Sequence, residues 1–240
     1  MRHLFCIPTY NEADNIEFFM EELFSNLRPH SHVLVIDDNS PDGTALIVEK
    51  LKEKKDCFKE RLHILKRPGK LGLASAYIDA FKWGLEKGAN WFVQMDADFS
   101  HQPSYLKDFY REINSKKCDF VCGSRYIEGG GVSNWNPLRV LLSKGGSLYT
   151  RIWLRHSLSD WTGGFNAWSS RVIRENLRSP FYSDGYTFQI EMKFRALEKS
   201  FRLKEIPIIF QERRAGQSKM GGKIVAEALY KVAWLKYNSY

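Results

Sequence analysis

The sequence predicts one α/β domain built on a mainly parallel sheet with helices on both faces. Three observations favour this fold class. Short apolar runs rich in β-branched and aromatic residues recur through the first half of the chain, segments with helical periodicity separate them, and polar clusters follow several of the runs. Such an alternation implies right-handed crossovers between parallel strands.

The apolar runs predict five strands, and the segments between them predict helices. The runs lie at residues 4–7, 33–36, 62–65, 91–95 and 120–122. Two sets of apolar residues each share one helical face: Ile16, Phe19, Leu23 and Leu27, and Ala74, Ile78, Phe81 and Leu85. Up to the fourth strand, the chain therefore has the order β-α-β-α-β-α-β.

The second half of the chain is less regular. We expect a glycine-rich loop at 129–131, a helix from about 137, a mixed segment at 163–168, a helix from about 186, a strand near 206–210 and a C-terminal helix near 219–238. The 240 residues suffice for one full core and are too few for two ordinary domains with a linker. Residues 1–240 are therefore expected to form a single domain.

The composition is that of a folded protein with an excess of basic residues. Hydrophobic residues make up 43% and charged residues 27% of the chain, which excludes a disordered or collagen-like chain. The formal net charge of +8 indicates an acidic partner, either nucleic acid, anionic lipid or a phosphorylated substrate. The four cysteines form no Cys-X-X-Cys pair, so neither a zinc site nor disulfides are predicted, and a reducing compartment fits best.

No segment predicts export or a membrane span. The apolar run at the N-terminus is far shorter than the hydrophobic region of a signal peptide and is closed by Pro8 and Asn11. No window approaches the ~20 consecutive apolar residues that cross a bilayer. We therefore expect any membrane contact to be peripheral.

Polar clusters follow three of the predicted strands. Pro-Thr-Tyr-Asn-Glu at 8–12 follows the first, Asp-Asp-Asn-Ser at 37–40 the second, and Asp-Ala-Asp at 96–98 the fourth. The carboxyl ends of parallel strands meet at one edge of a sheet, where such folds bind ligands. Five acidic side chains are therefore expected to converge there: Glu12, Asp37, Asp38, Asp96 and Asp98.

The acids of the second and fourth clusters have competing interpretations. Asp96 and Asp98 are two apart in extended chain and can offer hard oxygens to a divalent cation that carries a diphosphate. Taken alone, such a pair is more often a solvated turn, but the neighbouring acids favour the metal hypothesis. Asp37 and Asp38 can bind a ribose or a base edge, or can serve the turn and helix start that follow them.

Two basic loops are candidate phosphate contacts. The loop at 66–72, which contains Lys70, precedes a helix and can bind phosphate at the helix N-terminus. The loop from Arg213 to Lys219 lies late in the chain. Each loop can equally be a solvated surface turn.

Seven ordered motifs carry a resemblance to a known family. They are Pro-Thr-Tyr-Asn-Glu at 8–12, Asp-Asp-Asn-Ser-Pro-Asp-Gly-Thr at 37–44, Lys-Leu-Gly-Leu at 70–73, Met-Asp-Ala-Asp-Phe-Ser-His at 95–101, Gly-Ser-Arg-Tyr at 123–126, Thr-Gly-Gly-Phe at 162–165 and the loop at 213–219. Together they resemble the family-two inverting glycosyltransferases, and specifically the dolichol or polyprenol phosphate mannose synthases. The resemblance covers nearly the whole chain.

The resemblance implies a GT-A fold with a Rossmann-like sheet, and transfer of mannose from GDP-mannose to a dolichyl or polyprenyl phosphate with inversion. It implies that Asp96 and Asp98 hold Mg²⁺ or Mn²⁺ and that Asp98, Arg125, Arg213 and Lys219 act in catalysis, the three basic residues by facing phosphates. It implies a donor pocket lined by Pro8, Tyr10, Glu12, Asp37, Asp38, Lys70, Asp96 and Ala97. Ser100 stands where some relatives place a further metal ligand, Gln.

The transfer reaction that the resemblance implies needs stabilisation of the negative charge on the leaving group and no general base. A cation and nearby basic groups stabilise the departing nucleoside diphosphate, and an acceptor phosphate is already an anion near neutral pH. One alternative is glucosyl transfer from UDP-glucose to the same lipid phosphate. Another is a non-catalytic basic module that binds anionic lipid or nucleic acid, although this leaves the convergent acids unexplained.

The segment 137–157 predicts an amphipathic helix. No acidic residue lies between Gly129 and Ser159, and an apolar stripe comprises Leu138, Leu141, Leu142, Leu148, Tyr149, Ile152 and Trp153, with Arg139, Lys144, Arg151 and Arg155 off it. The pattern suits an interfacial helix on the cytoplasmic face of a membrane and equally a helix packed on the core. Gly145 and Gly146 predict a break into two helices. The segment 219–238 is a second interfacial candidate, and a membrane subunit is a possible partner.

Overall fold

A computed structural model describes residues 1–212 and 222–238 of the chain. The strands are β1 (His3–Thr9), β2 (Ser31–Asp37), β3 (Leu62–Lys66), β4 (Trp91–Gln94), β5 (Phe120–Ser124), β6 (Gly131–Val132), β7 (Asn166–Ser169), β8 (Leu203–Pro207) and β9 (Ile209–Phe210). The helices are α1 (Ile16–Asn26), α2 (Thr44–Lys54), α3 (Asp56–Lys59), α4 (Leu73–Glu86), α5 (Leu106–Ser115), α6 (Pro137–Leu154), α7 (Ser170–Asn176), α8 (Gly185–Glu198) and α9 (Gly222–Asn238).

Seven of these strands form one mixed sheet in the order β3-β2-β1-β4-β7-β5-β8, and β6 pairs with β9. The pairs β1–β2, β1–β4, β2–β3 and β5–β8 are parallel, as predicted, whereas β7 runs antiparallel to both β4 and β5. The sequence showed β7 only as a mixed segment. β7 has only four residues, and it begins with the polar Asn166, so no apolar run marks it in the sequence.

Two apolar cores cover the two faces of the sheet. Alternate residues of β1 point to opposite faces, so Phe5 and Ile7 pack with α1, α2 and α5, whereas Leu4 and Cys6 pack with α4, α8 and α9. Strands buried on both faces read as continuous apolar runs. This is why the five predicted strands coincide with β1 to β5, although β4 ends one residue earlier than predicted.

The predicted break at Gly145 and Gly146 is wrong, because α6 runs through both glycines. The side-chain hydroxyl of Thr150 donates to the carbonyl of Gly146 at 2.8 Å, and the Tyr149 hydroxyl donates to the carbonyl of Leu229 in α9 at 3.2 Å. Packing against α9 therefore offsets the ~1 kcal/mol that each glycine costs a helix. The helix ends at Leu154 rather than near 157, because Arg155 adopts a left-handed φ of 59°.

The C-terminal helix is described from Gly222, so the predicted start near 219 lies outside the described residues. The strand expected near 206–210 is divided between β8 and β9. None of the helices in the described parts of the chain is both long enough and apolar enough to cross a membrane.

Two helical glycines give opposite predictions for stability. A Cβ atom on Gly84 of α4 would collide with the side chains of Phe92 and Leu4, whereas one on Gly145 of α6 meets nothing within 4 Å. We expect Gly84→Ala to lower the free energy of unfolding by about 1–3 kcal/mol through overpacking. We expect Gly145→Ala to raise it by about 0.5–1 kcal/mol, because alanine restricts the unfolded chain.

Urea denaturation of both variants beside the unmodified chain measures these changes. A Gly84→Ala variant as stable as the unmodified chain would contradict the tight packing between α4 and the sheet.

Candidate active site

A cleft of about 1120 Å³, partly open to solvent, lies at the carboxyl ends of β1, β2 and β4. Its walls include eight of the residues predicted from the sequence: Pro8, Tyr10, Glu12, Asp38, Lys70, Asp96, Ala97 and Asp98. Thr9, Gly72, Leu73, Ala76 and Gly185 line the rest of it. The convergence of the three polar clusters at one edge of the sheet is therefore present in the structure.

Asp37 is buried and does not line this cleft. Its carboxylate accepts hydrogen bonds from the Thr9 hydroxyl at 3.0 Å and from the Ser40 backbone N–H and hydroxyl at 2.9 and 2.6 Å. Asp37 thus ties the end of β1, which carries Thr9 into the cleft, to the turn that follows β2. Its predicted contact with a nucleotide stays a prediction.

Asp38 lines the cleft beside a buried arginine that sequence reasoning did not single out. Arg67 Nη1 lies 2.6 Å from Asp38 Oδ1, and Arg67 also donates to the hydroxyl of Ser75 at 2.6 Å. Burial raises the pKa of Asp38, and the adjacent Arg67 guanidinium opposes this rise. Within the basic loop at 66–72, Arg67 therefore pairs with Asp38, and Lys70 lines the cleft.

Lys70 lies against an aromatic wall of the cleft. Its ammonium nitrogen is 4.0 Å from the ring centroid of Tyr10, a cation–π contact that restrains both side chains. A cation held over an aromatic ring beside the carboxylates suits a ligand that combines a planar group with phosphates.

The start of α4, which was expected to bind phosphate, is capped by a carboxylate of the chain itself. Asp184 Oδ1 accepts the backbone N–H of Ala74 at 2.9 Å and that of Gly185 at 2.7 Å. Gly72 has a φ of 96°, and a Cβ atom there would collide with the Asp184 carboxylate. Asp184 thus occupies one of the N–H groups at the start of α4, and the predicted phosphate contact of this loop stays a prediction.

Asp96 and Asp98 stand on a tight turn after β4. Asp98 is 5% exposed and accepts the backbone N–H of Ser100 at 3.0 Å, whereas the side chain of Asp96 is 40% exposed. Between Asp98 and Ser100, Phe99 adopts a left-handed φ of 62°, a conformation that is costly for a bulky residue. Its ring is buried edge-on against Phe19, 5.5 Å between centroids, which holds the turn in place.

His101 holds the same turn from beneath. Its Nδ1 accepts the backbone N–H of Asp96 at 3.1 Å, and its ring stacks on Phe165 at 5.0 Å between centroids. Burial lowers the pKa of His101 to about 4, so the ring is neutral at physiological pH and its Nδ1 is free of a proton in this contact. The histidine thus orients the acidic turn, in agreement with the structural role considered from the sequence.

The donor set on this turn fits a divalent cation that also binds a diphosphate. The described residues contain no group of three or more His, Cys, Asp or Glu side chains that could share an ion. Mg²⁺ is commonly held by one or two carboxylates, with substrate phosphates and water as the other ligands. Asp96 and Asp98 supply that minimum, and the buried hydroxyl of Ser100 has no hydrogen-bond partner among the described residues.

Arg125 forms a buried ion pair rather than lining the cleft. Its Nε and Nη2 donate to the two carboxylate oxygens of Asp160, each at 2.7 Å, and Nη2 also donates to the Thr162 hydroxyl at 2.7 Å. Burial alone would raise the pKa of Asp160, but Arg125 holds it down at about 2. The predicted contact of Arg125 with a phosphate stays a prediction.

A second arginine joins Arg125 beside the acidic turn. Trp135 lies between them, with the guanidinium carbons of Arg139 and Arg125 at 3.9 and 5.5 Å from its ring. Phe210 packs against both Arg125, at 5.6 Å, and His101, at 5.4 Å. The sequence showed Arg139 only as a charge off the apolar stripe, because nothing local reveals its approach to Trp135.

Arg213 and Lys219, the other two predicted catalytic residues, lie outside the described residues.

The acidic turn predicts metal-dependent nucleotide binding. We expect GDP to bind the unmodified chain in the presence of Mn²⁺, and Asp98→Asn to weaken this binding about tenfold or more, since a charge-assisted contact contributes ~1.5–3 kcal/mol. Asparagine keeps an acceptor for the Ser100 N–H, so the substitution removes charge without removing that contact. Titration calorimetry with and without EDTA provides the measurement.

Asp56→Asn is the matched control, because Asp56 is exposed on α3 and does not line the cleft. Equal GDP affinities for the Asp98→Asn and Asp56→Asn variants would contradict the assignment of Asp98 to the metal.

Two known proteins align with nearly the whole chain. Polyprenol monophosphomannose synthase of Mycolicibacterium smegmatis is 39% identical over 232 residues, which cover 97% of this chain and 86% of that protein. Undecaprenyl-phosphate mannosyltransferase of Micrococcus luteus is 41% identical over 232 residues, 97% of this chain and 93% of that protein.

Solved structures share the fold at low sequence identity. Glucosyl-3-phosphoglycerate synthase of Mycobacterium tuberculosis superposes with a TM-score of 0.68 at 14% identity, over 97% of this chain and 80% of that one. The mannosyltransferase PcManGT of Pyrobaculum calidifontis, solved with GDP-Man and Mn²⁺, gives 0.61 at 16% identity, over 99% and 70%. The fold is thus of the GT-A type.

The family model described as Glycosyl transferase family 2 matches residues 4–177, which include the cleft acids, the buried pair of Arg125 and Asp160, and all of α6. The resemblance seen in the seven motifs is thereby confirmed, and the chain is an enzyme that belongs to glycosyl transferase family 2.

Proposed function

We propose that this protein transfers mannose from GDP-mannose to a polyprenyl phosphate, with inversion at the anomeric carbon, at a membrane surface. The observation that carries the proposal is the arrangement of opposite charges around one turn. His101 accepts the Asp96 N–H of the acidic turn, and Phe210 packs on both His101 and Arg125, so side-chain contacts connect the cleft carboxylates to the arginines at Trp135. The two relatives named for mannosyl transfer to a polyprenyl phosphate support the choice of sugar and acceptor.

The cleft is suited to the donor nucleotide and its diphosphate. Asp96 and Asp98 would hold Mg²⁺ or Mn²⁺, which when bound supplies positive charge for the departing diphosphate. Lys70 adds a fixed cation, and Tyr10, held against it, offers a flat surface for a base. The metal-bound complex of PcManGT with GDP-Man supports this assignment of the cleft.

The acceptor needs no general base. One phosphate oxygen forms a bond to the anomeric carbon while the bond from that carbon to the diphosphate oxygen breaks, and the phosphate is already an anion. Arg125 and Arg139 bring two guanidinium groups together at Trp135, where Asp160 and Glu212 are their carboxylate partners. We therefore propose that the acceptor phosphate approaches from α6, which carries Arg139.

The exposure pattern of α6 supports contact with a membrane. Four apolar side chains on one face are 56–68% exposed, and we call them the apolar row: Leu138, Leu141, Leu148 and Ile152. The opposite side of the helix, which packs on the protein, carries the buried hydroxyls of Ser143, Ser147 and Thr150. A helix packed on a core would show the reverse order, so the arrangement favours an interfacial helix, and we propose that it lies on the cytoplasmic face of a membrane.

The transfer assay tests the reaction itself. We expect purified protein, polyprenyl phosphate and Mn²⁺ or Mg²⁺ to move labelled mannose from GDP-mannose into an organic-extractable product, and the Asp98→Asn variant to lose most of this activity. UDP-glucose in parallel checks the donor. Label from UDP-glucose alone would replace the sugar in the proposal, and no transfer from either donor, with the nucleotide still bound, would contradict the acceptor.

The apolar row predicts binding to vesicles of neutral lipid. We expect Leu141→Gln with Ile152→Gln to weaken binding to phosphatidylcholine vesicles roughly tenfold or more, because each buried leucine or isoleucine contributes ~1.5–3 kcal/mol. Leu46→Gln is the control, since Leu46 is an exposed leucine, 53% exposed, on α2. Co-sedimentation measures the binding, and equal losses in the two variants would contradict an interfacial role for α6.

A further inference from the structure

A pocket separate from the donor cleft opens on the flank of α6. It is a shallow pocket of about 410 Å³, part of which is open to solvent, and it is lined by Tyr126, Lys144, Ser147, Leu148, Arg151 and Ser159. It shares no lining residue with the cleft at the acidic turn. Tyr126 lies between this pocket and the arginine pair at Trp135. Its ring lines the pocket, and the centroid of that ring is 5.1 Å from the guanidinium carbon of Arg125.

The pocket combines positive charge with a hydroxyl that lacks a partner. Lys144 and Arg151 line it, and neither forms an ion pair with a carboxylate among the described side chains, which do not include those of residues 213–228. Ser147 is 2% exposed, and its hydroxyl has no hydrogen-bond partner among the described residues. Because a buried hydroxyl without a partner is unfavourable, this arrangement favours a ligand that completes the site.

The neighbouring hydroxyls on the same helix show that Ser147 is exceptional. Thr150 donates to the carbonyl of Gly146 at 2.8 Å, and Ser143 accepts the hydroxyl of Tyr126 at 2.6 Å. Two described carboxylates next to the pocket-lining Ser159 are also engaged. Asp160 pairs with Arg125, and Glu205 accepts the backbone N–H groups of Ser159 and Asp160 at 3.1 and 3.3 Å.

Two cations and a hydroxyl are the donors that a phosphate group recruits. The apolar row identifies the source of that phosphate as a lipid. Leu148 lines the pocket and also belongs to the apolar row, so a phosphate in the pocket has an exposed leucine beside it. A lipid would cover this leucine with its hydrocarbon portion, whereas free phosphate would leave it in water.

We propose that the pocket of Lys144, Ser147 and Arg151 binds the phosphodiester headgroup of an anionic phospholipid, separately from the acceptor phosphate at Arg125 and Arg139. The proposal rests on the membrane contact of the proposed function and adds a lipid-specific contact to it. The bound headgroup holds α6 at the depth of the phosphates, where the apolar row reaches the acyl chains.

Variants that keep the net charge distinguish lipid binding in this pocket from diffuse electrostatic attraction to anionic vesicles. We expect Arg151→Lys and Ser147→Ala each to weaken binding to vesicles that contain phosphatidylglycerol about threefold or more, since lysine lacks the paired donors of arginine and alanine lacks the hydroxyl. Arg155→Lys is the matched control, because Arg155 is exposed at the end of α6 and does not line the pocket. GDP binding by each variant checks that the cleft is intact.

Three vesicle compositions give the readout by co-sedimentation: phosphatidylcholine alone, with phosphatidylglycerol, and with polyprenyl phosphate. A loss confined to the phosphatidylglycerol vesicles supports the pocket. Unchanged binding of Arg151→Lys and Ser147→Ala overturns it in favour of diffuse charge, and a loss confined to polyprenyl phosphate overturns it in favour of an acceptor subsite. Failure of the unmodified chain to bind any vesicle would count against the proposed membrane contact itself.

Discussion

The buried ion pair between Arg125 and Asp160 connects the two sides of the site. Asp160 is fully buried, and its carboxylate accepts from the Arg125 side chain, from the Arg125 backbone N–H at 3.0 Å and from the Gly163 N–H at 3.0 Å. Breaking such a pair leaves an uncompensated charge in a medium of low dielectric constant, which is strongly destabilising. The loop that precedes β7 therefore has one arrangement, and Arg125 is held in place beneath Trp135.

Lys193 reinforces the same loop from α8. Its buried ammonium donates to the backbone carbonyls of Asp160, Trp161 and Gly163 at 2.9, 3.1 and 2.8 Å. Burial lowers the pKa of Lys193, although Asp160 and Glu205 lie close enough to favour its charged form. Asp160 and Lys193 thus make hydrogen bonds and ion pairs within the protein, and Asp37 and Asp184 do the same around the cleft. Such a framework keeps the cleft side chains in fixed positions, which electrostatic catalysis requires.

Under the proposed function, α6 links the site of transfer to the membrane surface. Its inner side contributes hydroxyls to the protein, its start carries Arg139 to Trp135, and its outer side exposes the apolar row. A helix with apolar residues facing outward depends on neighbouring elements for its stability, and α9 provides one such contact through the hydroxyl of Tyr149. One helix can therefore orient a lipid acceptor toward the acidic turn, which suits an enzyme whose two substrates differ so greatly in polarity.

The sequence by itself determined the succession of strands and helices in the first half, the convergence of polar clusters at one sheet edge and the family. These features depend on local periodicity and on the fact that parallel strands end at the same edge. The sequence also identified most residues of the cleft, because its motifs follow the strands directly. It failed where local propensity was outweighed, as at Gly145 and Gly146, or where a strand was very short, as in β7.

Only the tertiary structure decided which charged residues face the cleft and which support it. The Asp184 carboxylate meets the N–H of Ala74 across 110 residues of sequence, and Asp160 meets Arg125 across 35. Only the tertiary structure likewise showed that the apolar row faces outward, since the periodicity of such a row is identical in a buried and an exposed helix. The physical reason is that a charge in a folded chain pairs with whatever the packing brings within hydrogen-bond distance, and sequence spacing carries no record of that distance.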